Sequence, residues 1–371
     1  MKKAICMTGL CAFSFLHTLC AQPLPADLDR QARASIDKGL TWLVARQRPD
    51  GAWSDAGMPA LTALPLWALA SAGTNVHLAA QERAVSFLLG CQRPDGGIYV
   101  PQPGKKGSGL GNYNTSISVM ALAATCRPET VPAILKARDY IASSQHAGDD
   151  AHTGGFGYDK AAQRAYTDLN NTHYALDAMR RTQHLEELRP AGQRRADLDW
   201  EAALVYALQM QNSEGEGRGG FAYNTGDPKA GTATNASGRV MLRAYGSMTY
   251  AGLLAMVHAR LDKSDPRVRS AVEYCARHWT LEENPGQGQQ GLYFYFNVMA
   301  RALSAAGLDA VPREQRTDAI RWREELAAHV IALQRPDGSW QNDNNRWWEN
   351  DPVLATSYTL LALEMAAGLT R

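Results

Sequence analysis

Apolar stretches of helical length recur from about residue 30 to the C-terminus, separated by polar, glycine-rich loops. Three of them, "GLTWLVAR", "AVSFLLGC" and "LAAHVIAL", run directly into the pentapeptide Q-R-P-D-G, at Gln47–Gly51, Gln92–Gly96 and Gln334–Gly338. After a loop, each is followed by a second apolar stretch: "LTALPLWALASAG", "TSISVMALAATC" or "ATSYTLLALEMAAG". One unit is therefore helix, Q-x-x-D-G turn, loop, helix. Degenerate copies fill the middle: "ARDYIASSQ" to "NNTHYALDAM", "ALVYALQMQ" to "GSMTYAGLLAM", and "AVEYCARHW" to "GLYFYFNVMARALSAAG". The pattern predicts six helical hairpins with loops of unequal length.

Several second helices, such as "ALTALPLWALA", are apolar around most of their circumference, which requires burial on two sides. Six hairpins satisfy this by closing into a ring, with inner helices lining the axis and outer helices covering them. The alternative is an open superhelix of helical pairs. Open superhelices have more uniform repeats, so the unequal loops favour the ring.

The repeat motif reads as structural. Gln47, Gln92 and Gln334 are placed to bond free carbonyls at the C-terminus of an outer helix. Gly51, Gly96 and Gly338 allow a tight turn, and the preceding Asp can accept from turn N–H groups. Trp53 and Trp340 are expected to pack across to a neighbouring hairpin.

Composition adds a boundary. Lys2 and Lys3 precede an apolar run from Ala4 to Leu19, and Leu19-Cys20-Ala21 can serve as a cleavage site. Residues 1–21 thus read as a signal peptide and 22–371 as the toroid domain, secreted or periplasmic; His17-Thr18-Leu19 is a poor lipobox. Removing two lysines leaves 36 basic against 37 acidic residues, a balance that offers no basic face for nucleic acid. No later run is long enough to span a bilayer. The three remaining cysteines, Cys91, Cys126 and Cys275, make no disulfide framework.

The Q-x-x-D-G-x-W pattern of "QRPDGAW" and "QRPDGSW" resembles the repeat of squalene and oxidosqualene cyclases and, more loosely, of protein prenyltransferase β-subunits. The resemblance covers nearly the whole chain after residue 21. It implies an all-α fold, a single α6/α6 toroid, with the active cavity at the N-terminal ends of the inner helices. It does not imply a shared reaction.

In that resemblance "DLNNTHYALDAM" falls where squalene-type cyclases carry D-x-D-D-T, whose central acid protonates the polyene. This chain keeps Asp168 and Thr172 but has Asn170 and Asn171 between them. An amide is not a Brønsted acid, so initiation by this motif is not expected. Asp168 or Asn171 suits an N-cap; Asp168, Asn170, Asn171 and His173 alternatively contact a ligand. Asp168 and His173 are the candidates for any acid or base. Prenyltransferases hold zinc with Asp, Cys and His; His173 matches one such position in type, but Cys91 and Cys275 fall on outer helices and Cys126 at the far end of an inner one. No metal site can be assembled, and no cofactor is implied.

Other candidates are looser. "HAGDDAH", residues 146–152, gathers metal-binding residue types but reads as a solvated loop. Asp351-Pro352 reads as N-cap and first helical residue. Trp347 and Trp348 just before it are placed to clamp a ligand or cover the ring's mouth. Tyr113, Tyr174, Tyr250, Tyr295 and Tyr358 lie at or near inner-helix starts, where an aromatic cavity would suit a polyisoprenoid or a sugar face. No G-x-S-x-G elbow, phosphate loop or Cys-Gly-Glu-Gln thioester motif is present. The sequence thus points to a protein that holds an apolar or amphipathic small molecule, such as a lipid, in its central cavity, and leaves catalysis open. The alternatives are a protein-interaction scaffold and a carbohydrate-active lyase-type toroid, for which Tyr174, His173 and Arg243 are loose pieces.

Overall fold

Helix starts follow local chemistry. Asp199, Asp265 and Asp351 each accept from a backbone N–H of the first turn that follows, and Pro266 and Pro352 sit at the first helical position, where no amide hydrogen is needed. The structure, a computed structural model, describes residues 23–72, 77–104, 109–160, 166–234, 238–313 and 318–370. The expected signal peptide, residues 1–21, lies outside the described residues.

The described residues contain twelve α-helices: α1 (Ala26–Ala45), α2 (Ala60–Ser71), α3 (Leu78–Gly90), α4 (Gly111–Ala124), α5 (Val131–Ala142), α6 (Leu169–Arg181), α7 (Trp200–Leu208), α8 (Gly246–His258), α9 (Pro266–Arg277), α10 (Leu292–Ala305), α11 (Trp322–Ala332) and α12 (Pro352–Ala366). Two short hairpins decorate the loops, β1 (Thr232–Thr234) with β2 (Val240–Leu242), and β3 (Val311–Pro312) with β4 (Ala319–Ile320). The even-numbered helices pack in sequence, α2 on α4, α6, α8, α10 and α12, and α12 returns to α2. This is a closed α6/α6 toroid. Inner helices are buried along almost their whole length, as their all-round apolar sequences require. Among the described residues no helix is long and apolar enough to cross a membrane.

The Q-x-x-D-G motif joins neighbouring outer helices. Gln47 Nε2 donates to the Gly51 carbonyl of its own turn at 3.0 Å and to the Ala80 carbonyl of α3 at 2.9 Å. Gln92 does the same to Gly96 and Ala133 of α5, and Gln334 to Gly338 and Ser35 of α1. Gln145 and Gln211, in the degenerate repeats, bridge to Asp199 and Arg267. The expected bond to the C-terminus of an outer helix is therefore corrected: the amide reaches the next outer helix, at its start for Gln47, Gln92, Gln145 and Gln211 and at mid-helix Ser35 for Gln334. Between α9 and α11, where this glutamine is missing, Trp279 Nε1 bonds Glu325 at 2.7 Å instead.

The motif aspartates and glycines take the roles expected of them, and Trp340 reaches the neighbouring hairpin. Asp50, Asp95 and Asp337 each accept from the N–H two residues on. Gly51 has φ +88°, and a Cβ there would come within 2.4 Å of the Arg83 carbonyl. Trp340 donates to the Val330 carbonyl, and its ring packs so closely on α1 that a Cβ at Gly39 would meet it at 2.9 Å. Trp53 makes the matching bond to Leu43.

Candidate functional site

All six inner helices begin at the same end of the ring, and their first turns enclose a cavity of about 440 Å³. Ala60 and Leu61 of α2, Tyr113 of α4, Asn170 of α6, Ser247 and Met248 of α8, Phe294 of α10, and Leu354 and Tyr358 of α12 line it. The preceding loops add Met58, Leu110, Tyr158, Tyr166, Tyr223, Asp227, Lys229, Tyr245, Trp347, Trp348 and Glu349. The Tyr113 and Tyr358 hydroxyls meet at 3.4 Å, and the Tyr174 ring stands edge-on to Tyr113 with centroids 5.5 Å apart. Trp347 and Trp348, 37% and 51% exposed, both have a left-handed backbone, at φ +55° and +66°. Strained residues of this kind cluster at functional sites.

Asp168 caps α6. Its Oδ1 accepts from the Asn171 N–H and its Oδ2 from the Asn171 side-chain amide, both at 2.7 Å. The Thr172 hydroxyl donates to the Asp168 carbonyl and accepts from the Phe156 N–H, tying the loop to the helix. Burial pushes the Asp168 carboxyl up to about 6, against the bonds from Asn171 and Tyr223 that favour the anion. Asn170 reaches the cavity wall, whereas Asn171 is fully buried and spent on Asp168. Capping and cavity contact therefore fall to adjacent residues of the same turn.

His173 is buried behind Phe294, with ring centroids 6.1 Å apart, and its Nδ1 lies 3.3 Å from the Leu169 carbonyl. Burial and the Arg301 guanidinium bring its imidazole down to about 3, so it is neutral at ordinary pH. A neutral imidazole there is no proton donor of useful strength.

Glu349 was visible in the sequence only as a loop residue. Its carboxyl accepts from the Phe294 N–H at 2.7 Å, the Tyr293 N–H at 3.2 Å and the Asn342 side chain at 2.8 Å. It thus caps α10 from a different hairpin while lining the cavity. Burial pushes it up to about 7, opposed by these donors.

A second polar group gathers in the loops before α6 and α8. The Tyr158 and Tyr166 hydroxyls lie 3.1 and 3.3 Å from that of Tyr223, which is buried on the Asp168 side of the cluster. Burial, then the Asp168 charge, holds the Tyr223 phenol well above its usual range. Lys229 pairs with Asp227 and lies 5.2 Å from the Tyr223 ring centre. Tyr158 and Tyr223 stand in the related glycine-rich loops "GGFGYD" and "GGFAYN", whereas nothing in the sequence marks Tyr166 or Tyr245.

Under the cavity floor the axis is closed by charge. Arg301 touches the Tyr174 ring at 4.9 Å on one side and the Trp67 ring at 5.5 Å on the other, and pairs with Asp177. Arg181 and His258 also meet Asp177, at 2.6 and 2.9 Å. Although burial opposes it, Arg181 and Arg301 hold the Asp177 carboxyl well below the usual range. Trp67 and Arg181 then line a second recess at the far end of the ring.

Of the residues singled out in the sequence, the structure brings Tyr113, Asn170, Trp347, Trp348 and Tyr358 together around the cavity, with Tyr174 just beneath. It does not bring Tyr250 and Tyr295 there. Their rings pack tilted against each other with centroids 5.7 Å apart, and the Tyr250 hydroxyl is buried on the side of Cys275 of the outer helix α9. Cys91, Cys126 and Cys275 are free, and burial pushes the Cys91 thiol up to about 11 and the Cys275 thiol up to about 12, far from a thiolate. In the "HAGDDAH" loop His146 bonds Asp150 at 3.1 Å. Among the described residues no three His, Cys, Asp or Glu side chains are grouped to hold a metal ion.

This geometry can be set beside known proteins. The type II terpene cyclase MstE from Scytonema superposes with a TM-score of 0.57 at 13% identity, covering 92% of this chain and 99% of MstE. The chain has the fold of the type II terpene cyclases. MstE variants in complex with geranylgeranyl dihydroxybenzoate, its substrate, and with merosterolic acid A, its product, superpose with TM-scores of 0.54 and 0.53 at 13% identity, each covering 93% of this chain and 100% of the variant. A family 76 glycoside hydrolase (mannosidase) from Bacteroides thetaiotaomicron gives a TM-score of 0.58 at 12% identity, covering 91% of this chain and 98% of the hydrolase, so the toroid carries more than one chemistry. In sequence, drimenyl diphosphate synthase of Streptomyces showdoensis is 26% identical over 327 residues, covering 88% of this chain and 51% of the synthase. The chain therefore spans about half the length of that relative. No protein-family model matches the chain.

Proposed function

We propose that the central cavity binds an isoprenoid, or a comparable apolar or amphipathic molecule, and that the protein does so outside the cytoplasm after losing residues 1–21. The observation that carries this reading is the cavity itself: aromatic walls, built from the first turns of all six inner helices, in a terpene-cyclase fold. The bound isoprenoid substrate of MstE and the name of the Streptomyces relative agree with it.

The reading does not include cyclisation started by the acid motif. The side chain that faces the cavity from this turn is the amide of Asn170, and the one carboxyl of the turn, Asp168, is withdrawn into a cap. An amide at that position can hydrogen-bond a ligand but has no proton to give to an alkene.

Thermal unfolding of residues 22–371 against isoprenoids, oligosaccharides and divalent metals tests the proposal. A ligand at about a hundred times its dissociation constant adds roughly 2.7 kcal/mol of stability. A shift with isoprenoids alone is the expected result. A shift with oligosaccharides would replace the reading with a carbohydrate-active toroid, and no shift would favour a protein scaffold.

A further inference from the structure

A cluster of three phenols marks one side of the cavity. Around the ring the inner helices run α2, α4, α6, α8, α10, α12, so α6 and α8 stand opposite α12 and α2. On the α6–α8 side the hydroxyls of Tyr158 and Tyr166 converge on Tyr223, and Tyr223 is backed by the fully buried Asp168. The facing wall, from α2 and α12, presents Leu61 and Leu354, and the Tyr358 hydroxyl there is turned to Tyr113. A ligand with one polar end and one apolar end has a single favourable orientation in such a space.

The charges decide what the polar end is. Asp168 stands behind the phenols and Glu349 lies in the wall, while the Lys229 ammonium is already paired with Asp227. A diphosphate would bring several negative charges into a partly desolvated space that already holds carboxyls, where like charges repel far more than in water. Tyr166 gives its single hydrogen to Tyr223, so the cluster turns lone pairs to the cavity, which match the O–H of an alcohol and not the acceptor oxygens of a diphosphate. Polarised toward Asp168, the cluster is a better acceptor of an incoming hydroxyl proton.

We propose that Tyr158, Tyr166 and Tyr223 form the head-group subsite of the cavity, that it takes an uncharged hydroxyl-bearing isoprenoid with its tail toward Leu61 and Leu354, and that it refuses the diphosphate ester of the same chain. The inference rests on the isoprenoid reading of the cavity. It separates this chain from its Streptomyces relative, whose name specifies a diphosphate.

The test is calorimetric titration of the protein, in buffer with EDTA, with farnesol, farnesyl diphosphate and a headless hydrocarbon of the same length. Farnesol is expected to bind tightest, by about tenfold over either of the others. Tyr223→Phe should weaken farnesol roughly three- to tenfold, the worth of one hydrogen bond, and leave the hydrocarbon unchanged. Tyr158→Phe provides the same readout should Tyr223→Phe fail to fold, with circular dichroism checking both. Diphosphate binding as tight as farnesol, or farnesol affinity unmoved in both folded variants, overturns the subsite. Failure of all three ligands to bind overturns the isoprenoid reading itself.

Discussion

Arg301 of α10 and Asp177 of α6 are ion-paired across α8, with neither side chain exposed and the Arg301 Nε 3.2 Å from Asp177 Oδ2. Removing one partner of a buried pair leaves the other charge without water or counter-ion. Arg301→Met should lower stability by about 3–5 kcal/mol in urea denaturation. Because Arg181 and His258 still face Asp177, the loss should sit at the lower end of that range.

The repeat turns predict a contrast between two glycines. Gly51→Ala places a Cβ against the Arg83 carbonyl in a left-handed backbone, and should cost more than about 1 kcal/mol. Gly90→Ala, at the end of α3, meets nothing within 4 Å and should be neutral or stabilising by about 0.5 kcal/mol. Thermal melts of the two variants decide the point.

Glu349 makes stability depend on pH. Its carboxyl is raised from 4.5 to about 7 in the folded protein, so the folded state binds more protons in that window. Its contribution is fully present below pH 4.5 and is lost as pH rises through about 7. Unfolding free energies measured from pH 4 to 8 should show the wild type losing about 3 kcal/mol relative to Glu349→Gln across this range.

Asn171→Asp, the change that would restore part of the cyclase motif, should not create a cavity acid. It replaces the amide that donates to Asp168 with a second carboxyl at the same contact. Stability at neutral pH should fall by about 1–3 kcal/mol, and recover as pH is lowered and the pair takes up a proton. Parallel denaturation curves at pH 7 and pH 5 measure this.

The six hairpins and their closure were legible in the sequence because the repeats are local and their helices are apolar all round. Asp351-Pro352 and the Asp168 cap were legible for the same reason, since a cap is written within four residues. The phase of an inner helix was not. A helix buried on two sides carries no stripe to say which tyrosine faces the axis, so Tyr113 and Tyr358 reach the cavity while Tyr250 and Tyr295 turn toward α9. Tyr166, Tyr245 and Glu349 were hidden more deeply. They stand in loops without periodicity and enter the cavity only because the ring brings distant hairpins together. The repeat glutamines were misread in one respect, because a bond to the following repeat leaves no mark inside its own.

The bond from Gln334 to Ser35 joins residues 299 apart, and α12 seals against both α1 and α2. Every other joint of the ring can form as soon as the next hairpin leaves the ribosome; this one waits for the last. Until then the faces of α1 and α2 that will meet α12 remain uncovered, and the growing chain is an incomplete arc. Such long-range closure slows folding and exposes apolar surface while it is pending. Variants that weaken the final joint, at Gln334 or Trp340, should therefore lower the yield of soluble protein more than equivalent changes at Gln47 or Trp53.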